Sequence, residues 1–240
     1  MNRTIIISDI HGCIDEFNEL LENVRFNRNS DQLILLGDYV DRGPASREVV
    51  ERAMELVKQD NAVALRGNHD QRLVDLVLGD DEAVKAKFRM HGGLQTLQSY
   101  IEFTGSELTD EVIQQARERI AQDYGHHIEF LSRLPLYYED DAHIYVHAGL
   151  NPRYPNWKEQ PDHDFMYIKS DFYLHPTHVD KKVIFGHSRA EEIHQKSDVW
   201  FAVDKIGIDG GCAYGQQLNA LIVENGSYLT ERVLSKQIRR

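Results

Sequence analysis

Leu33-Ile34-Leu35-Leu36-Gly37-Asp38-Tyr39-Val40-Asp41-Arg42-Gly43 is the stretch whose reading decides the fold. Its apolar head reads as a buried strand, so the loop that follows sits at a strand's C-terminal end, where open α/β sheets place their ligands. Asp38 and Asp41 put two carboxylates three positions apart, Arg42 sets a guanidinium beside the second, and a glycine at each end lets a small anion approach the backbone. On its own such a cluster is an ordinary solvated turn. The chain, however, repeats it.

Upstream, Thr4-Ile5-Ile6-Ile7 reads as another buried strand and runs into Ser8-Asp9-Ile10-His11-Gly12. Downstream, Ala62-Val63-Ala64-Leu65 runs into Arg66-Gly67-Asn68-His69-Asp70. Two later runs behave alike: residues 142–146 deliver His147-Ala148-Gly149, and residues 182–185 deliver Gly186-His187-Ser188. Five strand ends thus present Asp9, His11, Asp38, Asn68, His147 and His187, oxygen and imidazole ligands suited to a divalent metal. His69, Asp41 and Arg42 stand beside them as candidate catalytic groups.

In this order the five motifs resemble those of the PPP-type metallophosphatases within the calcineurin-like metallophosphoesterases, a group that includes the Ser/Thr protein phosphatases and the symmetrical diadenosine tetraphosphate hydrolases. The resemblance spans most of the chain, and what it implies is specific. The expected fold is α/β, a sandwich of two mixed β-sheets flanked by helices, with a helical insertion. Two divalent transition-metal ions are expected, manganese first, with iron, zinc or nickel as alternatives. By resemblance, Asp9, His11 and Asp38 hold one metal, and Asp38 bridges to the second, which Asn68, His147 and His187 complete. The metals would activate water for in-line attack at phosphorus. His69 would protonate the leaving oxygen, Asp41 would orient its imidazole, and Arg42 with Asn68 would bind the phosphoryl group. Where related sequences carry a second arginine in a W-I-R stretch, this chain reads Tyr167-Ile168-Lys169. Lys169 is therefore the expected substitute, with the charge but without the planar fork.

The bulk properties fit a soluble cytoplasmic enzyme of one domain, residues 1–240. Hydrophobic residues make up 41% and charged residues 28%, the proportions of an ordinary globular chain. No basic-then-apolar leader and no apolar run of spanning length is read, so no membrane partner is expected. Cys13 and Cys212 are too few for a disulfide framework and are expected reduced. A net charge of -12 argues against a dedicated nucleic-acid surface, because phosphate contacts supply most non-specific affinity there. The basic stretch 232–240 is mixed with apolar residues and reads as a solvated strand or tail. Nothing in the sequence fixes an oligomeric state.

The order of elements begins β-α-β-α-β, which implies parallel strands with right-handed crossovers. Ser46 is placed to cap the second helix. Residues 71–134 then read as a helical insertion, with helices expected over 73–78, 93–101, 109–124 and 126–134, and Gly125 as a stop. It could cap the site or merely cover the sheet. Later strands, expected at 136–138, 143–146, 183–185, 199–203 and 218–223, read as antiparallel. Asn225-Gly226 signals a tight hairpin.

Two substrates compete. Val40-Asp41-Arg42-Gly43 and Leu65 to His69 look like the protein-phosphatase forms of their motifs, which makes a Ser/Thr protein phosphatase acting on a phosphorylated protein the leading expectation. Asp70, in place of the usual glutamate, looks more like the dinucleotide hydrolases, so the alternative is symmetrical cleavage of diadenosine tetraphosphate to two ADP. A non-catalytic binding module of this fold would be expected to have lost a ligand, and every candidate ligand is present.

Overall fold

The computed structural model describes residues 3–103 and 105–237. Its strands are β1 (Arg3–Ile7), β2 (Asp31–Leu35), β3 (Val63–Ala64), β4 (Tyr137–Glu139), β5 (His143–Val146), β6 (Lys182–Phe185), β7 (Trp200–Phe201), β8 (Lys205–Gly207), β9 (Gln217–Glu224) and β10 (Ser227–Leu234). They form two five-stranded sheets in the orders β10-β9-β1-β2-β3 and β4-β5-β6-β8-β7. Both sheets are mixed: β1-β2-β3 and β5-β6-β8 run parallel, antiparallel β9 and β10 complete one edge of the first sheet, and antiparallel β4 and β7 form both edges of the second.

The apolar runs are continuous because both faces of the central strands are covered. Ile6, Ile34 and Leu221 pack with Tyr145, Ile184 and Ile206 between the sheets. One residue along, Ile5, Ile7, Leu33 and Leu35 pack with Phe17, Leu20, Val49 and Val50 of the helices α1 (Ile14–Asn23) and α2 (Ser46–Asp60). The second sheet's outer face carries Ile144, Val146, Val183 and Phe185, covered by Phe165 and Phe172.

The insertion contains α3 (Asn68–Leu78), α4 (Glu82–Met90), α5 (Gly93–Tyr100), α6 (Asp110–Asp123) and α7 (Gly125–Arg133). Its apolar residues Phe88, Leu97, Ile113, Ile120 and Leu131 belong to the same core cluster as the first sheet's helix-facing side. Beyond α3 it reaches the Asp41 loop where Gly92 O accepts from Arg42 N at 2.9 Å and the Thr96 hydroxyl donates to Asp41 Oδ1 at 2.7 Å. Three short α-helices follow, α8 (Asp162–Tyr167), α9 (Ser170–Tyr173) and α10 (Ala190–His194), with 3-10 turns at Trp157–Glu159 and Cys212–Tyr214.

Several expectations are corrected. The later strands are not uniformly antiparallel, because β6 pairs parallel with both β5 and β8. Ser46 does not cap α2: its hydroxyl accepts from Asp41 N at 3.1 Å, and the N-cap position is Ala45. Gly125 opens α7 instead of ending α6. Helix α4 and strand β8 were not expected, the first because Phe88 is its single fully buried residue, the second because it is only three residues long. The Asn225-Gly226 hairpin is as expected, with φ of 51° and 74°. Of the basic C-terminal stretch, residues up to Leu234 lie in β10, and 238–240 lie outside the described residues. Among the described residues no helix is long and apolar enough to cross a membrane.

Candidate active site

The strand ends converge because their loops are tied to one another by backbone. Asp9 N donates to Gly37 O at 3.2 Å, His11 N to Asp38 O at 2.9 Å, Gly12 N to Tyr39 O at 2.9 Å and Gly43 N to His11 O at 2.9 Å. Threading these turns forces non-glycine residues into the left-handed region: Asp9 (φ 53°), His11 (47°), Asp38 (60°), Asp41 (72°), Arg42 (74°) and His187 (60°). Asp and His tolerate that region better than most, but each such residue still costs roughly 1–3 kcal/mol unless its surroundings over-determine it. At Gly67 the reason for glycine is close approach, since a Cβ there would strike Asp38 N and the Asp38 carboxylate.

Asp70 is the strongest tie. Its Oδ2 accepts from Asp38 N and Gly67 N, each at 2.8 Å, and its Oδ1 accepts from Tyr39 N at 2.9 Å. One buried carboxylate thus fastens the β2 loop to the N-terminus of α3. Burial pushes Asp70 up to about 6, helped by the charge of Asp38, while those three N–H groups pull it down.

Asp38 occupies the middle of the ligand set. Its Oδ2 lies 3.4 Å from His11 Nε2 and its Oδ1 lies 3.5 Å from His147 Nε2. The ligand atoms of Asp38, His147 and His187 fall within 4.8 Å of one another, as do those of His11, Asp38 and His69. His11 Nδ1 faces Val40 O at 2.7 Å and His147 Nδ1 faces Leu36 O at 2.8 Å. A carbonyl can only accept, so both rings carry their proton on Nδ1 and present the Nε2 lone pair to Asp38. Asn68 Oδ1 lies 3.1 Å from His147 Nε2, and His187 Nε2 is buried without a hydrogen-bond partner. Asp9 stands beside them, its Oδ2 accepting from the Ser8 hydroxyl and, at 3.0 Å, from His187 N. Burial, with the carboxylates' mutual repulsion, pushes Asp38 up to about 7 and Asp9 up to about 6. A buried carboxyl held that high calls for a cation, and imidazole, carboxylate and amide donors together suit a divalent transition metal.

His69 and Asp41 form a second unit. His69 Nδ1 is 2.6 Å from Asp41 Oδ2, and the carboxylate is held from its other side by Thr96. Burial pushes Asp41 up to about 7 against the pull of Thr96, Arg72 and Arg42. His69 is held well below the usual histidine value, by burial first and by the Arg42 charge next. Arg42 donates to both lone pairs at once, from Nη2 to His69 Nε2 at 2.8 Å and from Nη1 to His11 Nε2. For His11 to ligate a metal, this guanidinium must turn away; the Tyr214 ring, 5.0 Å from Arg42 Cζ, offers it a face.

These groups border a cavity of about 310 Å³. Asp38, Arg42, Asn68, His69 and His187 line it, and so does Lys169, which is half exposed and paired with Glu192 at 3.6 Å. His11, Asp9, Asp41 and His147 lie deeper. Six lining residues were not anticipated from the sequence: Arg72, His91, Arg189, Glu192, Asp209 and Tyr214. Asp209 follows β8 as Asp9 follows β1, and the run Ile206-Gly207-Ile208-Asp209-Gly210 repeats the apolar-then-Asp/Gly pattern of the other five loops. Arg72 carried a helical signal, being three and four residues beyond His69 and Asn68 on one helix.

Residues 3–202 match the family model described as calcineurin-like phosphoesterase. Among curated proteins, the chain is 28% identical to the asymmetrical bis(5'-nucleosyl)-tetraphosphatase PrpE of Anoxybacillus flavithermus, over 90% of this chain and 88% of that one. It is 34% identical to the symmetrical bis(5'-nucleosyl)-tetraphosphatase of Shewanella sediminis over 70% of this chain, and spans 53% of that relative's length. Among solved structures, one provisionally described as a diadenosine tetraphosphatase superposes with a TM-score of 0.63 at 25% identity, covering 96% of this chain and 93% of the other.

Proposed function

Because the chain belongs to the calcineurin-like phosphoesterase family and is a metal-dependent phosphoester hydrolase, we propose that its substrate is a dinucleoside polyphosphate. The observation that carries this reading is the cationic wall of the cavity. Beyond the ligand set, Arg42, Arg72, Lys169 and Arg189 all line it. Glu192 and Asp209 line the cavity too, Glu192 paired with Lys169 and Arg189, so Arg42 and Arg72 are the guanidiniums turned toward an anion, and a row of phosphates would use both more fully than a single phosphomonoester. The relatives' names point the same way. Those matching nine tenths of this chain carry the asymmetrical name, those matching about two thirds the symmetrical one.

In this reading Asp9, His11 and Asp38 hold one divalent ion, and Asp38, Asn68, His147 and His187 hold another, manganese being the expected metal and iron, zinc or nickel its substitutes. When bound, the ions neutralise phosphoryl oxygens and lower the pKa of water. Arg42, released from the two imidazoles, grips two phosphoryl oxygens bidentately and stabilises the charge that develops at phosphorus. Once Arg42 leaves Nε2, His69 would take up a proton there, its imidazolium stabilised by Asp41 at Nδ1, and would pass that proton from Nε2 to the leaving oxygen.

The His69–Asp41 pair favours a second reading, a Ser/Thr protein phosphatase. A serine alkoxide is a much stronger base than a departing nucleotide, so an oriented acid is worth more for a phosphopeptide. The deciding experiment compares kcat/KM of manganese-loaded protein on diadenosine tetraphosphate and on a phosphoserine peptide, with products separated by chromatography. Preferential nucleotide release is expected, and AMP plus ATP against two ADP reads the position of cleavage. Preferential phosphate release from the peptide would overturn the dinucleotide reading in favour of the second.

A further inference from the structure

Arg72 is buried to 5% exposure, lines the cavity, and is not exhausted by its contacts. Nη1 lies 3.5 Å from Asp41 Oδ2 and 3.0 Å from His69 Nδ1. The second of these places two N–H groups against each other, since His69 Nδ1 gives its own proton to Asp41. The guanidinium's Nε is buried with no partner, and Tyr167 lines the cavity beside it. An arginine held this deep, braced on one side and unpaired on another, is pre-organised for an anion.

Its neighbourhood locates that anion. The leaving group departs over His69, and Arg72 borders His69 together with His91, whose ring centroid is 6.3 Å from that of His69. Tyr167 and His91 line the same cavity. Lys169, by contrast, is half exposed and already paired with Glu192. We propose that Arg72, with the Tyr167 hydroxyl and His91, forms a subsite for the phosphate next beyond the scissile bond, and that Arg72 acts as the site's second phosphate-binding arginine in the place expected of Lys169. This rests on the polyphosphate reading, because a phosphoserine has no such second phosphate. The tyrosine that opens the Tyr167-Ile168-Lys169 stretch then becomes the positioning residue for an arginine delivered by α3.

The test measures inhibition of p-nitrophenyl phosphate hydrolysis by orthophosphate and by ADP, using the manganese-loaded full chain, for wild type, Arg72→Gln, Arg72→Lys and Tyr167→Phe. Whatever Arg72→Gln does to turnover through Asp41, the inhibition constant for ADP is expected to rise by about tenfold or more, the loss of a charge-assisted contact, while that for orthophosphate moves by less than about threefold. Arg72→Lys should recover part of the difference, and Tyr167→Phe should lose part of it. If Arg72→Gln does not fold, those two variants carry the same ratio. Equal weakening of both inhibitors would make Arg72 a brace for Asp41 only and overturn the subsite, as would an unchanged ADP constant. Direct assay of wild type on diadenosine tetraphosphate tests the substrate reading separately. A protein that ignores the dinucleotide yet shows the selective ADP effect keeps the subsite and loses the substrate.

Discussion

The two halves of the site are built by different means. On the side of the first sheet, the loops after β1, β2 and β3 are laced by main-chain hydrogen bonds, and Asp70 alone accepts three N–H donors from two of them. On the side of the second sheet the loops are also tied by main chain, Gly186 N to His147 O at 2.8 Å and Ala190 N to Asp209 O at 2.8 Å, and His147 is anchored to Leu36 O, but the rim above consists of side chains: Lys169 with Glu192, Arg189 with Glu192 at 2.8 Å, and the Tyr214 ring 4.3 Å from Arg189 Cζ. Backbone lacing holds atoms to a fraction of an ångström, whereas exposed ion pairs are worth at most about 1 kcal/mol and rearrange readily. The chemistry is accordingly fixed on the first side, and adaptation to the substrate is left to the second.

That contrast can be broken at several levels. Chelation attacks the point where the halves meet at Asp38. It should abolish hydrolysis, and lower the melting temperature by several degrees, since a ligand at a hundredfold excess over Kd contributes about 2.7 kcal/mol. Metal analysis of the reconstituted protein should return two ions per chain; one or none would refute the shared-carboxylate arrangement. Replacing the acid on the laced side is next. His69→Ala should cut kcat on a phosphoserine peptide by roughly 10²–10⁴ and on diadenosine tetraphosphate much less. Equal losses on the two substrates would count against that separation of roles between them.

Asp70→Ala removes the lacing itself and strands three buried donors, each worth about 1–3 kcal/mol. A loss of at least 3 kcal/mol, or roughly 10 °C in melting temperature, is expected, together with loss of activity as Asp38 shifts. A fully active, thermally unaltered variant would show that the loops hold without it. On the rim the effects should be small. Arg189→Ala is expected to raise KM for the dinucleotide by about tenfold or less, and Lys169→Ala by about threefold or less, with kcat unaltered in both. A kcat collapse in Lys169→Ala would return that lysine to the scissile phosphate and erase the difference between the halves.

The laced half was largely legible in the sequence, because its signal is local: apolar strand, then a loop of Gly, Asp, His and Asn. The candidate ligands and the His69–Asp41–Arg42 set could be named from those loops alone. What stayed hidden depends on distance. Thr96 reaches Asp41 across 55 positions of chain, and no periodicity announces such a contact. Asp209 was missed because β8 is only three residues long, so the sixth strand end did not stand out. Arg72 reads as an ordinary charged residue on a helix until the tertiary fold buries it. Asp70 was legible as a departure from a motif, but its three N–H partners give it a structural role that the residue type alone did not reveal. The parallel pairing of β6 was misread since its crossovers contain only short helices and turns, unlike the long helices of the first half.

The left-handed backbone at Asp41 and Arg42 has a consequence for selection. At Asp41 that cost is outweighed by the Thr96, His69 and Arg72 contacts its buried carboxylate accepts, but Arg42 is only partly buried, and glycine there would relax the backbone by about 1 kcal/mol or more. A population of variants screened only for heat resistance should therefore collect Arg42→Gly, and become sturdier and inert together. Thermal stability and phosphoester cleavage pull this codon in opposite directions, and any stabilisation campaign must hold it fixed.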